Sequence, residues 1–146
     1  MEVNIKKTKE SAIIPTYATD NSAGMDLYAC LDKDSIEILP HTTQFISTGI
    51  SMAIPEQYVG LIFARSGIAC KRDLAPANKV GVIDSDYRGE ILVALHNHSD
   101  VVQSIANKER IAQMVIMPYI QVKLNSVDTL DDTDRSIGGF GSTGTL

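Results

Sequence analysis

Gly81-Val82-Ile83-Asp84-Ser85-Asp86-Tyr87-Arg88-Gly89-Glu90-Ile91 is the stretch on which the fold turns. Val80, Val82 and Ile83 surround a glycine as strand residues would, and Ile91-Leu92-Val93-Ala94-Leu95 follows as a second apolar run. Apolar, β-branched arms around a short polar turn predict a β-hairpin. The turn also carries a carboxylate fit to be a general base, an aromatic ring and an arginine. A hairpin needs none of these in order to turn, so the stretch is a candidate for chemistry as well as for architecture.

The same texture extends outward. Ser35–Leu39, Phe45–Ile54, Tyr58–Ala64, Val101–Ile105, Arg110–Met117 and Ile120–Leu124 are short β-rich runs, several of them stopped by Pro40, Pro55 or Pro118. Asp26 interrupts the apolar run from Met25 to Cys30. Many short strands, about 8–12 residues apart, predict an all-β sandwich or barrel. The helices of ~10 or more residues that a Rossmann fold requires between strands are missing. Arg65–Arg72 reads as a single short helix with Ser66 as its N-cap. After Leu124 the composition turns polar, acidic and glycine-rich, which predicts a β-barrel domain over 1–125 and a flexible tail or lid over 126–146.

The 146 residues suffice for one domain with a proper core, and 44% of them are hydrophobic, which excludes disorder over most of the length. A net charge of -5 argues against a broad nucleic-acid grip but not against a single nucleotide. No apolar run approaches the ~18 residues of a membrane span, and no secretory signal is expected at Met1–Lys7. The two cysteines, Cys30 and Cys70, read as small buried hydrophobes of a reducing, cytoplasmic protein rather than as a disulfide.

Several side chains suit nucleotide chemistry. Gly139-Phe140-Gly141-Ser142-Thr143-Gly144 offers close backbone approach, two hydroxyls and a ring able to stack on a base, with Arg135 upstream to fork onto a phosphate. Arg65-Ser66-Gly67 has an anion site's composition if a helix starts there. In a strand, Ile111 falls on the face opposite Arg110 and Ala112, and Gln113 is a neutral donor in an apolar run. Asp26, in an apolar strand, must either pair with an arginine or help to hold Mg²⁺, directly or through water. His96 and His98 can share a strand face but lack a third ligand, so they read as surface residues.

Taken in order, Ala23-Gly24-Met25-Asp26-Leu27, Arg65-Ser66-Gly67, Gly81 to Gly89, Arg110-Ile111-Ala112-Gln113, and Arg135 with Gly139 to Gly144 resemble the motifs of the trimeric deoxyuridine triphosphatases. The resemblance spans nearly the whole chain. It implies a jelly-roll-like β subunit of the β-clip kind, a homotrimer with sites shared between subunits, and Mg²⁺-assisted hydrolysis of dUTP to dUMP and pyrophosphate. By the same resemblance Asp84 is the carboxylate that deprotonates the attacking water, and Tyr87 is the ring under the deoxyribose. Asn78 and the backbone near Gly81 and Ile83 read uracil. Arg65, Ser66, Gly67 and Gln113 hold phosphates, and Asp26 stands near the metal. Phe140 stacks on uracil while Arg135, Gly141, Ser142 and Thr143 close over the phosphates. Ala64 stands where proline is usual, Lys108-Glu109 where Gly-Asp is commoner, and Ser136 where glycine is frequent. The competing readings are a dCTP deaminase, for which Glu90 is the available glutamate, and a non-catalytic nucleotide-binding module.

Overall fold

The computed structural model of the protein describes residues 1–139. Its strands are β1 (Asn4–Lys7), β2 (Thr16–Tyr17), β3 (Met25–Tyr28), β4 (Ser35–Ile38), β5 (Thr43–Ser47), β6 (Ile50–Ala53), β7 (Tyr58–Phe63), β8 (Leu74–Pro76), β9 (Gly81–Ile83), β10 (Leu92–Asn97), β11 (Gln103–Ala106) and β12 (Arg110–Pro118). The one helix among the described residues, α1 (Ser66–Arg72), lies between β7 and β8. A five-stranded sheet runs β2-β3-β12-β7-β9, a three-stranded sheet runs β5-β10-β8, and β1 pairs with β6 and β11 with β4. Every pairing is antiparallel.

One core joins these pieces. Leu27, Ile38, Ile46, Leu74, Leu95 and Ile105, from six different strands, are wholly buried in it. Each such side chain contributes about 1.5–3 kcal/mol by leaving water, so the apolar faces weld the separate ladders into a barrel. Asn97 is buried as well, and its amide ties the end of β10 to the end of β4 and to the loop that follows β10: Nδ2 donates to the carbonyls of Ile38 at 2.9 Å and Val101 at 2.8 Å, while Oδ1 accepts from Ser99.

The stretch that predicts a hairpin is not a paired hairpin. β9 pairs with β7, whereas β10 pairs with β5 and β8, so its two arms belong to different sheets. The reason lies beyond the turn: the amide of Ile91 donates to the Ile50 carbonyl, and that of Ala77 to the Ala94 carbonyl, which draws β10 away from β9. Residues 84–91 therefore form a crossing loop between sheets.

Other local expectations are also corrected. The long run from Phe45 to Ile54 splits into β5 and β6 at Gly49, whose φ of 67° takes the left-handed conformation open to glycine. A Cβ there would come within 2.7 Å of Ala12 Cβ and 2.8 Å of Cys30 Sγ. Ser66 is the first helical residue and not the N-cap; that position falls to Arg65, which makes no side-chain capping bond. Ile111 and Ala112 are both buried because a bulge between Arg110 and Ala112 breaks the strict alternation. Ile120–Leu124 forms no strand, since no described strand pairs with it. Cys30 is buried but Cys70 is exposed, and both thiols are free.

Candidate active site

The first group of side chains assembles around Asp26. β3 turns this carboxylate inward, where only 7% of the residue is exposed. An unpaired charge at such a depth is strongly unfavourable, and two guanidinium groups relieve it. Arg65, at the start of α1, donates from Nε to Asp26 Oδ1 at 2.7 Å, and Arg110, at the start of β12, donates from Nη1 to Oδ2 at 3.2 Å. Of the two sequence readings of Asp26, pairing with arginine is the contact present. Gln113 stands opposite both Asp26 and Phe63 on the central strand β12. Its Nε2 donates to the Ala64 carbonyl at 2.9 Å, the residue where proline is usual in the resembled motif. Gly24 makes room for this amide, because a Cβ there would lie 2.8 Å from Gln113 Oε1. Gly24, Asp26, Arg65, Ser66 and Gln113 thus line one cavity of about 330 Å³.

The corner is held from the far end of the helix too. Arg72, in the last turn of α1, donates to Glu109 Oε1 at 2.5 Å, to Gln103 Oε1 at 3.2 Å and to the Ser104 carbonyl. Glu109 precedes Arg110 and also accepts from the Ala106 amide at 2.9 Å. One helix is therefore tied to Asp26 at its start and to the β11–β12 turn at its end. Lys108 in that turn has a φ of 66°, the conformation that the commoner glycine would adopt more readily. Ser136 likewise has a φ of 41° where glycine is frequent. Two departures from the resembled motifs thus fall on left-handed backbone.

The second group lies on the crossing loop. Phe45, Val82, Ile83, Asp84, Tyr87, Glu90 and Leu92 line a cavity of about 200 Å³. Asp84 is exposed, and its carboxylate takes part in no ion pair or side-chain hydrogen bond among the described residues. Tyr87 lies over Gly89, where an added Cβ would stand 2.6 Å from the ring's Cζ. Its hydroxyl donates to the Glu90 carbonyl at 3.0 Å. Arg88 turns back onto the carbonyls of Ser85 and Tyr87 at 2.6 and 2.9 Å, so it shapes the loop. β9 pairs only with β7 among the described strands, which leaves the other edge of Gly81–Ile83 with backbone donors and acceptors to offer. Asn78 stands exposed at the approach to that edge.

The two cavities share no lining residue. Asp26, Arg65, Ser66 and Gln113 are brought together, as are Ile83, Asp84 and Tyr87, but neither group closes on the other within the chain. Arg135 donates to its own Gly138 carbonyl at 2.9 Å. Phe140, Gly141, Ser142 and Thr143 lie outside the described residues. The rings of His96 and His98 meet edge to face at 4.4 Å. Burial and the neighbouring His98, His41 and Lys79 hold His96 below the ordinary histidine pKa. Arg110 was the residue the sequence underused: a lone aspartate in an apolar strand calls for cations, but the spacing does not say which ones.

The fold, nearly all-β with one short helix, is of the β-clip, jelly-roll-like class. The dUTPase family model matches residues 10–144. The chain is 46% identical over 144 residues to the deoxyuridine 5'-triphosphate nucleotidohydrolase of Hydrogenobaculum sp. (strain Y04AAS1), covering 99% of each. It is 49% identical over 132 residues to that of Desulfitobacterium hafniense (strain DSM 10664 / DCB-2), covering 90% of this chain and 87% of the relative. Its fold is similar to the dUTPase of Staphylococcus bacteriophage 80alpha solved with dUPNHPP, with a TM-score of 0.89, 26% identity and 98% of both chains covered. The chain belongs to the dUTPase family.

Proposed function

We propose that the protein hydrolyses dUTP to dUMP and pyrophosphate, which keeps uracil out of DNA and supplies dUMP for thymidylate synthesis. The observation that carries this reading is Asp84: in a chain of this family, it is a carboxylate with no ion pair among the described residues, beside a tyrosine and an open strand edge. A carboxylate without a competing cation is available to accept a proton. In the reaction a water proton moves to Asp84, the water oxygen bonds to the α-phosphorus, and the bond from that phosphorus to the α–β bridging oxygen breaks. The departing pyrophosphate takes the bond's electron pair. Asn78 and the free edge at Gly81 and Ile83 recognise uracil, since a strand edge leaves polar groups unmatched when the base offers the wrong donors. Tyr87 lies beneath the deoxyribose and leaves no space for a 2′-hydroxyl.

Arg65, Ser66, Gly67 and Gln113 receive the phosphates in the Asp26 corner. Arg135, Phe140, Gly141, Ser142 and Thr143 complete enclosure as part of a tail, 126–146, that folds over a β-barrel domain, 1–125. The family is metal-dependent, and we assign Mg²⁺. Both oxygens of Asp26 already accept from guanidinium groups, and no cluster of three or more metal-ligating side chains occurs among the described residues. That donor set suits an ion carried by the substrate's phosphates and facing Asp26 through water, because Mg²⁺ keeps several waters. When bound it neutralises charge across the triphosphate.

A homotrimer with sites shared between subunits accounts for two features. The base-side and phosphate-side cavities are separate within one chain. Ile120, Val122 and Leu124 alternate with Gln121 and Lys123 in sequence and are 89%, 67% and 88% exposed, apolar surface suited to cover by another copy. We place the activity in the cytoplasm. The deaminase reading is disfavoured because Glu90 Oε1 already accepts from Ser47 and from the Gly49 amide.

Incubation with dUTP and Mg²⁺ should release pyrophosphate, with a light-scattering mass of three chains. Ammonia from dCTP, or binding of dUTP without turnover, would overturn the reading. Removing Arg135 onward should cut turnover at least about 100-fold while leaving the mass unchanged. Full activity after that truncation would make the tail a mere terminus.

A further inference from the structure

We infer that Glu90 is the positioning residue for the Tyr87 side of the site, through a clasp between the crossing loop and the β5–β6 turn. The inference rests on the proposed role of Tyr87 beneath the sugar. Glu90 Oε1 accepts from the Ser47 hydroxyl and, at 2.9 Å, from the Gly49 amide. The next residue adds two more bonds: Thr48 Oγ1 donates to the Ile91 carbonyl at 2.6 Å, and the Ile91 amide to the Ile50 carbonyl at 2.9 Å. Residues 90–91 are thereby stitched to residues 47–50.

The turn that receives the clasp is itself fixed. The Gly49 carbonyl accepts from the Thr8 and Lys9 amides at 2.7 and 3.3 Å, and the Ser47 carbonyl accepts from the Cys30 amide at 2.8 Å. The space around Gly49 is filled by Ala12 and Cys30. On the loop side, the hydroxyl of Tyr87 donates to the main-chain carbonyl of Glu90 itself. Glu90 therefore links a rigid turn to the tyrosine, with its carboxylate toward the barrel and its carbonyl toward the ring.

Removing the carboxylate strips the acceptor from the buried Gly49 amide and from the Ser47 hydroxyl. The carbonyl that orients Tyr87 is then free to shift, and the gap between a deoxyribose and a ribose is the dimension most exposed to that shift. The readout is the ratio of kcat/KM for dUTP to kcat/KM for UTP. A residue that only stabilised the barrel would leave this ratio unchanged in the folded fraction.

Glu90→Ala should lower the ratio about tenfold, while Glu90→Gln, which keeps an acceptor oxygen, should stay within about twofold of the unaltered protein. Ser47→Ala removes one of the two donors and should lower the ratio about threefold; it decides the matter if Glu90→Ala does not fold. An unchanged ratio in folded Glu90→Ala, or in Ser47→Ala where only that variant folds, overturns the inference while the dUTPase reading stands. An unaltered protein that releases no pyrophosphate from dUTP overturns that reading, and the inference with it.

Discussion

Asp26, within β3, and Asp84, directly after β9, are both aspartates beside apolar β-strand residues, yet their surroundings are opposite. Asp26 is 7% exposed and accepts N–H bonds from Arg65 and Arg110. Asp84 is exposed on a loop and has no ion pair among the described residues. A buried carboxylate between two guanidinium groups organises its neighbours: it fixes two cations that approach from separate elements. A carboxylate left unpaired keeps its lone pairs available for a proton. The same functional group is a framework in one cavity and, in the proposed mechanism, a reagent in the other.

The largest effect expected from breaking this contrast is at Asp84. Asp84→Asn should keep nucleotide affinity within a few fold and lower turnover by about 10²–10⁴-fold, read from equilibrium binding and pyrophosphate release. Turnover equal to the unaltered protein would place the base elsewhere. At Asp26 the expected loss is of stability: Asp26→Asn leaves two cations facing a neutral amide and should cost about 2–3 kcal/mol in urea unfolding. The cost falls below the roughly 3–5 kcal/mol that fully buried pairs show, because the Arg110 side chain is 49% exposed and regains water. Unchanged stability would mean that the corner needs no buried anion.

Smaller changes sharpen the contrast. Gly89→Ala crowds the Tyr87 ring and should cost about 1 kcal/mol, with a raised KM for dUTP as the second readout. A normal KM would show that the ring tolerates displacement. Lys108→Gly, in the turn before Glu109 and Arg110, should stabilise the protein by about 0.5 kcal/mol, because relief of left-handed strain is partly offset by added freedom in the unfolded chain. Thermal unfolding resolves this change, and a loss of stability would mean that the Lys108 side chain contributes contacts of its own.

How much of this was legible in the residues depends on how local each feature is. Arg110–Pro118 is a strand where one is expected, reaching one residue past Met117 to the proline, because its apolar run is a local signal. The pairing of β9 and β10 was not legible: the turn between them looks like a hairpin, and the partners that separate them come from β5, β7 and β8. Ile120–Leu124 has the alternation of a strand, but alternation does not supply a neighbour to pair with. In the site, an aspartate in an apolar strand announced a need for cations. Arg65 and Arg110 stand 39 and 84 residues away along the chain, so only the fold selects them. The Glu90 clasp had no signal at all, since its turn reaches the loop from 41 residues away.

The unequal burial of the two cysteines has a practical consequence. Cys30 is sealed at 2% exposure, so a thiol reagent applied to the native protein has Cys70 as its accessible target. Cys70 lies one helical turn beyond Ser66, on the same face of α1. The chain thus carries a native attachment point for a fluorophore one helical turn from Ser66, which lines the Asp26 cavity.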